Sequence, residues 1–113
     1  MANKLANAVQ ILLTACSYVV AVHDLLNKVR IELQKGYLLD LYYNDTLGKY
    51  SYTLVRQKKR VIGWDNAPHH PGLPRFPHHF HCEDGSVEPS PFSGDPEQDI
   101  ATVVTAVNAI LRR

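Results

Sequence analysis

Apolar positions repeat at helical spacing at both ends of the chain and at strand spacing between them. Leu5, Val9, Leu12, Leu13 and Cys16 return to one helix face. They predict an amphipathic helix from Lys4 to Ala15, with Asn3 as its cap. Ser17 to Val22 is β-branched and aromatic and favours a strand, a further helical turn being the alternative. Asp24 to Asn27 reads as a connection. Val29, Ile31 and Leu33 then alternate with Arg30, Glu32 and Gln34, the pattern of a strand with one wet face. Lys35-Gly36 supplies a tight turn. Tyr37 to Tyr43 sets Tyr37, Leu39, Leu41 and Tyr43 on one face and Leu38, Asp40 and Tyr42 on the other. A turn at Asn44 to Gly48 leads to strands Tyr50 to Gln57 and Arg60 to Asp65, joined near Lys58-Lys59. Connections this short predict an antiparallel meander.

The closing segment is a helix with its start written out. Asp95 is a good N-cap, Pro96 suits the first turn, and Gln98 completes an Asp-x-x-Gln capping pattern. Ile100, Val103, Val104, Val107, Ile110 and Leu111 form one apolar stripe, and Arg112 and Arg113 sit where the helix dipole favours cations. The expected fold is α+β in a single domain, residues 1–113. A small antiparallel meander is flanked by an N-terminal and a C-terminal helix, and one face of its sheet buries against both.

Composition adds one asymmetry. All seven prolines fall between Pro68 and Pro96, and five of the six histidines between His69 and His81. Proline cannot donate to a sheet ladder, so Pro68 to Pro77 is a loop. Pro68, Pro71, Pro74 and Pro77 recur at every third position, which predicts an extended, polyproline-like path. A short strand around Phe80 to Cys82 and a turn at Asp84-Gly85 follow. The net charge of +1 over 113 residues advertises neither a nucleic-acid nor a membrane binder. No apolar run reaches the roughly 20 residues of a membrane span, and no secretory cleavage site is read. Cys16 and Cys82 are far apart and belong to no paired motif, which fits a reducing, cytoplasmic compartment.

The histidine loop admits three readings. Imidazole titrates near pH 6.5 and moves protons. It ligates Zn²⁺, Ni²⁺ or Cu²⁺ when neutral. It also hydrogen-bonds the backbone of loops that lack sheet partners. The proton-transfer reading pairs His69 or His70 with His78 or His79 as acid and base, with Asp65 orienting one of them. Asp65 also reads as a plain turn-initiating residue. The metal alternative takes His79 and His81, which share a strand face, with Cys82, a soft ligand, or His70 beside them. No cofactor is needed in the first reading; zinc or another divalent ion enters in the second. Arg56 to Arg60 is a basic run, either a solvated hairpin or a phosphate-binding edge. Tyr52, Asn66, Arg75, Lys58, Lys59 and Arg60 are the candidate substrate contacts, and RNA the candidate target.

Three segments together resemble a family. Tyr50-Ser51-Tyr52, the run from Trp64 through Asp65-Asn66-Ala67-Pro68-His69-His70 to Pro71, and Phe76-Pro77-His78-His79-Phe80-His81 look like the signature of the TumE-like toxins of bacteria and archaea. The arrangement of helix, meander and helix is similar over nearly the whole chain. The resemblance implies the toxin of a type II toxin–antitoxin module, with a TumA-type antitoxin as partner. Its chemistry is left open by the resemblance, with metal-independent ribonuclease action the expectation. The motif residues carried over are Tyr52, Asp65, Asn66, His69, His70, His78, His79 and His81. Lys58-Lys59 departs from an Asp/Gly-type hairpin turn, and Cys82 has no place in the pattern. A binding module without catalysis is the remaining alternative, and the short chain with its sheet edges makes a homodimer plausible.

Overall fold

Two helices lie on one face of a seven-stranded antiparallel meander. The computed structural model describes residues 3–113, and the cap expected at Asn3 lies outside the described side chains. Helix α1 spans Asn3–Ala15 and helix α2 Pro96–Leu111. Between them run β1 (Val19–Asp24), β2 (Val29–Leu33), β3 (Tyr37–Asn44), β4 (Lys49–Arg56), β5 (Lys59–Asp65), β6 (His79–His81) and β7 (Val87–Pro89). The strands lie side by side in chain order, and every neighbouring pair is antiparallel. The α+β architecture read from the sequence is the one observed.

The period of two explains why the sheet has unlike faces. Val29, Ile31, Leu33, Leu39, Leu41, Tyr52, Leu54, Ile62 and Trp64 are buried and form one cluster with Leu5, Val9 and Leu12 of α1 and the Ile100–Leu111 stripe of α2. The helices are roughly parallel. Lys4 and Asn7 bond Asp95 and Glu97 at one end, and Asn108 bonds the Ala15 carbonyl at the other. Among the described residues no helix covers the opposite sheet face, where most polar residues of the strands reach solvent, His79 apart.

Four details differ from the sequence reading, each for a physical reason. Strand β1 runs on to Asp24, because backbone pairing with β2 decides its length and His23 stays exposed beside Glu32. The α2 cap does not use Gln98. Asp95 accepts from the Glu97 N–H at 3.0 Å, while the buried Asp99 carboxylate takes the N–H groups of Ser93 and Gly94 and the Ser93 hydroxyl. The proline loop does not take an extended path. Leu73 N–H bonds His70 O, Phe76 N–H bonds Leu73 O, and His78 N–H bonds Arg75 O. Prolines three apart sit at the corners of successive tight turns, which satisfy the backbone without a ladder. Strand β7 was not foreseen. It is a three-residue edge strand, and an edge is where Pro89 is tolerated in a sheet.

The open face holds one strong ion pair. Asp40 on β3 accepts two bonds from Arg30 on β2, at 2.8 and 2.9 Å, and one from Lys28 at 3.1 Å. The Arg30 bonds hold its carboxyl below the usual 3.8, against the opposing effect of partial burial. A lowered folded pKa stabilises above the unfolded value, and that gain is lost as pH falls through the folded one. Asp40→Asn should therefore cost about 1–2 kcal/mol at neutral pH. The gap from wild type, followed by urea unfolding, should close progressively below the ordinary carboxylate pKa.

Candidate functional site

The site grows out of the last turn of the meander. In the β5–β6 register Asp65 pairs with His79 and Gly63 with His81. Alternation then turns Trp64 and Phe80 inward, where their rings pack 5.0 Å apart. The same alternation turns Asp65, His79 and His81 together onto the open face. His79 Nε2 lies 3.0 Å from Asp65 Oδ1, and His81 Nε2 lies 3.1 Å from Oδ2. Asp65 Oδ1 also accepts the Ala67 N–H at 2.9 Å, which fixes the carboxylate at the start of the loop. His79 is 2% exposed, and its Nδ1 donates to the Pro77 carbonyl at 3.0 Å. A carbonyl only accepts, so the proton is on Nδ1 and Nε2 is the atom presented to Asp65.

A third imidazole joins these two. The His70 ring meets His79 edge-on at 4.8 Å and His81 at 6.2 Å. The loop that brings it there is fastened by Asn66, whose Oδ1 accepts from Tyr50 N–H and whose Nδ2 donates to the Gly48 carbonyl. Around the three rings lies a cleft of about 560 Å³, also lined by Tyr42, Lys49, Ser51, Arg60 and His69. Burial lowers the pKa of His81, and the positive charge of Arg60 lowers it further. Lys49 and Arg60 have no carboxylate within ion-pair distance among the described residues, whereas Lys4, Lys28, Arg30 and Arg113 each have at least one. The ring nitrogens of His69 and His70 likewise have no hydrogen-bond partner among the described residues. The cleft thus offers unsatisfied cations and free imidazoles above a fixed His–Asp–His floor.

Against known proteins, the sequence profile of the family described as Toxin TumE matches residues 10–111, which takes in all seven strands, the loop and the cleft. The chain belongs to the TumE toxin family. It is accordingly a toxin of a toxin–antitoxin system, and an antitoxin is its partner. No curated protein and no solved structure shows a significant match. Among the described residues no helix is long and apolar enough to cross a membrane.

The residues that carried the resemblance divide between the two faces of the sheet. Asp65, Asn66, His69, His70, His79 and His81 all line the cleft. His78 does not. Its Nδ1 lies 2.8 Å from the Tyr50 hydroxyl, its ring stacks on Tyr50, and burial lowers its pKa. Adjacent residues of an extended segment point to opposite sides, so His78 and His79 cannot serve one site. Tyr52 is 1% exposed within the helix-facing core, where it stacks on Tyr50, and does not line the cleft.

Of the cations read as substrate contacts, only Arg60 reaches the cleft. Arg75 spends its guanidinium on the carbonyls of Ser90, Pro91 and Phe92 and clasps the loop to the segment before α2. Lys58 and Lys59 stand at the exposed β4–β5 hairpin, whose left-handed residues are Gln57 and Lys58. Cys82 follows β6 on the side away from His81 and is outside the group of possible ligands that Asp65, His79 and His81 form. Lys49, Tyr42 and Ser51 are the cleft residues sequence reasoning missed. The signal was available for two of them, since alternation puts Tyr42 on the wet face with Asp40, and Ser51 opposite the inward Tyr50 and Tyr52.

Proposed function

We propose that this toxin acts on RNA in the histidine cleft, as a ribonuclease, and that its antitoxin is of the TumA type. The observation that carries the reading is the pairing of unneutralised Lys49 and Arg60 with the free imidazoles of His69 and His70 in one open cleft. A polyanion is drawn by cations that no protein carboxylate already satisfies. Cleavage next to a ribose needs a base to take the 2′-hydroxyl proton and an acid to return one to the departing 5′-oxygen. The two imidazoles of His69 and His70 would supply both, and each is regenerated when the cyclic phosphate is hydrolysed. Lys49 and Arg60 would stabilise the extra negative charge of the pentacoordinate phosphorus. Asp65, with His79 and His81, is a positioning group beneath them.

The test is induction of the toxin in cells without antitoxin, alongside incubation of the purified chain with RNA. Wild type should arrest growth and cut RNA. The His69→Ala/His70→Ala double variant, its fold checked by circular dichroism, should lose about 100-fold or more of the cleavage rate. RNA left intact by the purified chain, both alone and with translating ribosomes, would remove the ribonuclease reading.

A further inference from the structure

A neutral His79 ring beside the Asp65 carboxylate leaves Nε2 without a hydrogen-bond donor. Its Nδ1 carries the proton given to the Pro77 carbonyl, so a neutral ring presents a bare lone pair at Nε2. Nε2 stands 3.0 Å from Asp65 Oδ1, an acceptor, without the alignment of a hydrogen bond. Two acceptors at this distance repel unless something positive lies between them. A second imidazole nitrogen, His81 Nε2, converges on the other oxygen of the same carboxylate at 3.1 Å. One ligand atom from each of Asp65, His79 and His81 lies within 4.8 Å of the other two.

We infer that Asp65, His79 and His81 bind a divalent transition-metal ion. Two imidazole nitrogens and one carboxylate oxygen are a set that suits Zn²⁺, Mn²⁺, Co²⁺ or Ni²⁺ and leaves coordination positions open. Tetrahedral bonds of about 2.0–2.2 Å hold ligand atoms roughly 3.4 Å apart, so the widest separation here, within 4.8 Å, would have to close, a change that side-chain rotation supplies. The supporting contacts are those of a metal-bound histidine. His79 donates its other ring N–H to a backbone carbonyl, which fixes tautomer and ring orientation, and the Ala67 N–H steadies the carboxylate. The ligands come from paired strands rather than from a mobile loop, so the site is rigid before the ion arrives. All three residues line the cleft, where a phosphate oxygen or a water molecule would complete the coordination. This deepens the ribonuclease reading, but the binding itself does not depend on RNA.

The experiment uses the full chain without a histidine tag, stripped with chelator and titrated calorimetrically with Zn²⁺, Mn²⁺, Co²⁺ and Ni²⁺ in turn, with stoichiometry checked by native mass spectrometry. One ion per chain should bind, and Co²⁺ should develop visible absorption bands. Asp65→Asn and His81→Ala, each confirmed as folded, should lose about 100-fold or more in affinity. His23→Ala, on the distant β1–β2 hairpin, should bind as wild type. Binding that is absent, or unchanged in both ligand variants, would overturn the site. So would nitrogen resonances showing His79 doubly protonated at neutral pH with and without metal, since a proton would then fill the gap. A chain that binds metal and leaves RNA intact defeats the ribonuclease reading alone. A stripped chain that cuts RNA at full rate defeats only the metal's part in it.

Discussion

Asp65→Asn should lower the rate of RNA cleavage by about 100-fold or more and relieve growth arrest, with the chain still folded. The reason is the number of partners one carboxylate serves. Asp65 accepts the Ala67 N–H and meets Nε2 of both His79 and His81. An amide of the same shape has one accepting oxygen and no charge. The oxygen can keep the Ala67 bond, so the turn survives. The amide nitrogen must then face one of the imidazoles with hydrogens in place of a lone pair, and it cannot ligate an ion. Losing bonds to a charged group should cost about 1.5–3 kcal/mol, small enough to leave the fold intact at room temperature. His23→Ala is the matching control. It removes only an exposed contact to Glu32 at 3.2 Å, and arrest should persist. Arrest by Asp65→Asn at the wild-type level would mean that the His–Asp–His floor takes no part in toxicity.

Local signals made the scaffold legible, and long-range pairing hid part of the site. The alternation in Val29 to Leu33 and Tyr37 to Tyr43, and the short turns between strands, carried the meander, because period and turn chemistry are local properties. The same alternation placed His79 and His81 on one face. Asp65 joining them required the β5–β6 register, which depends on how the intervening loop folds. There the every-third proline spacing was misleading, since the same spacing serves an extended helix and a run of tight turns. The turns decide the outcome: they send His70 toward His79 and turn Arg75 back onto the Ser90–Phe92 carbonyls. Basic character alone could not tell Arg75, a clasp with its donors spent, from Arg60, a cation facing the cleft. Nor could histidine content separate His78, packed on Tyr50, from its neighbour. Asp99 had no sequence signal beyond its place in the first turn of α2, yet it gathers three donors from Ser93 and Gly94.

The largest effect on stability should come from Phe92→Ala, a loss of about 3–5 kcal/mol. Phe92 lies outside every helix and strand, but it is 2% exposed and closes the aromatic part of the core. Its ring stacks on Trp64 at 5.5 Å with an 11° tilt, and it packs against Tyr50 and Tyr52, each at 6.2 Å. Truncation removes these contacts and leaves a cavity that three large rings, tethered to strands β4 and β5, cannot collapse to fill. Phe92→Leu keeps much of the volume but not the stacking, and should cost about 1–2 kcal/mol. The consequence reaches the cleft from beneath. Trp64 immediately precedes Asp65, and the Phe92 carbonyl is one of the three that hold Arg75 and through it the histidine loop. The alanine variant should therefore lower the urea midpoint and also speed hydrogen exchange at Ala67 and His78, whose backbone N–H groups are tied to Asp65 and to the Arg75 carbonyl. Faster exchange confined to the residue 90–95 segment, with Ala67 and His78 as protected as in the wild type, would show that the loop is held without the aromatic core.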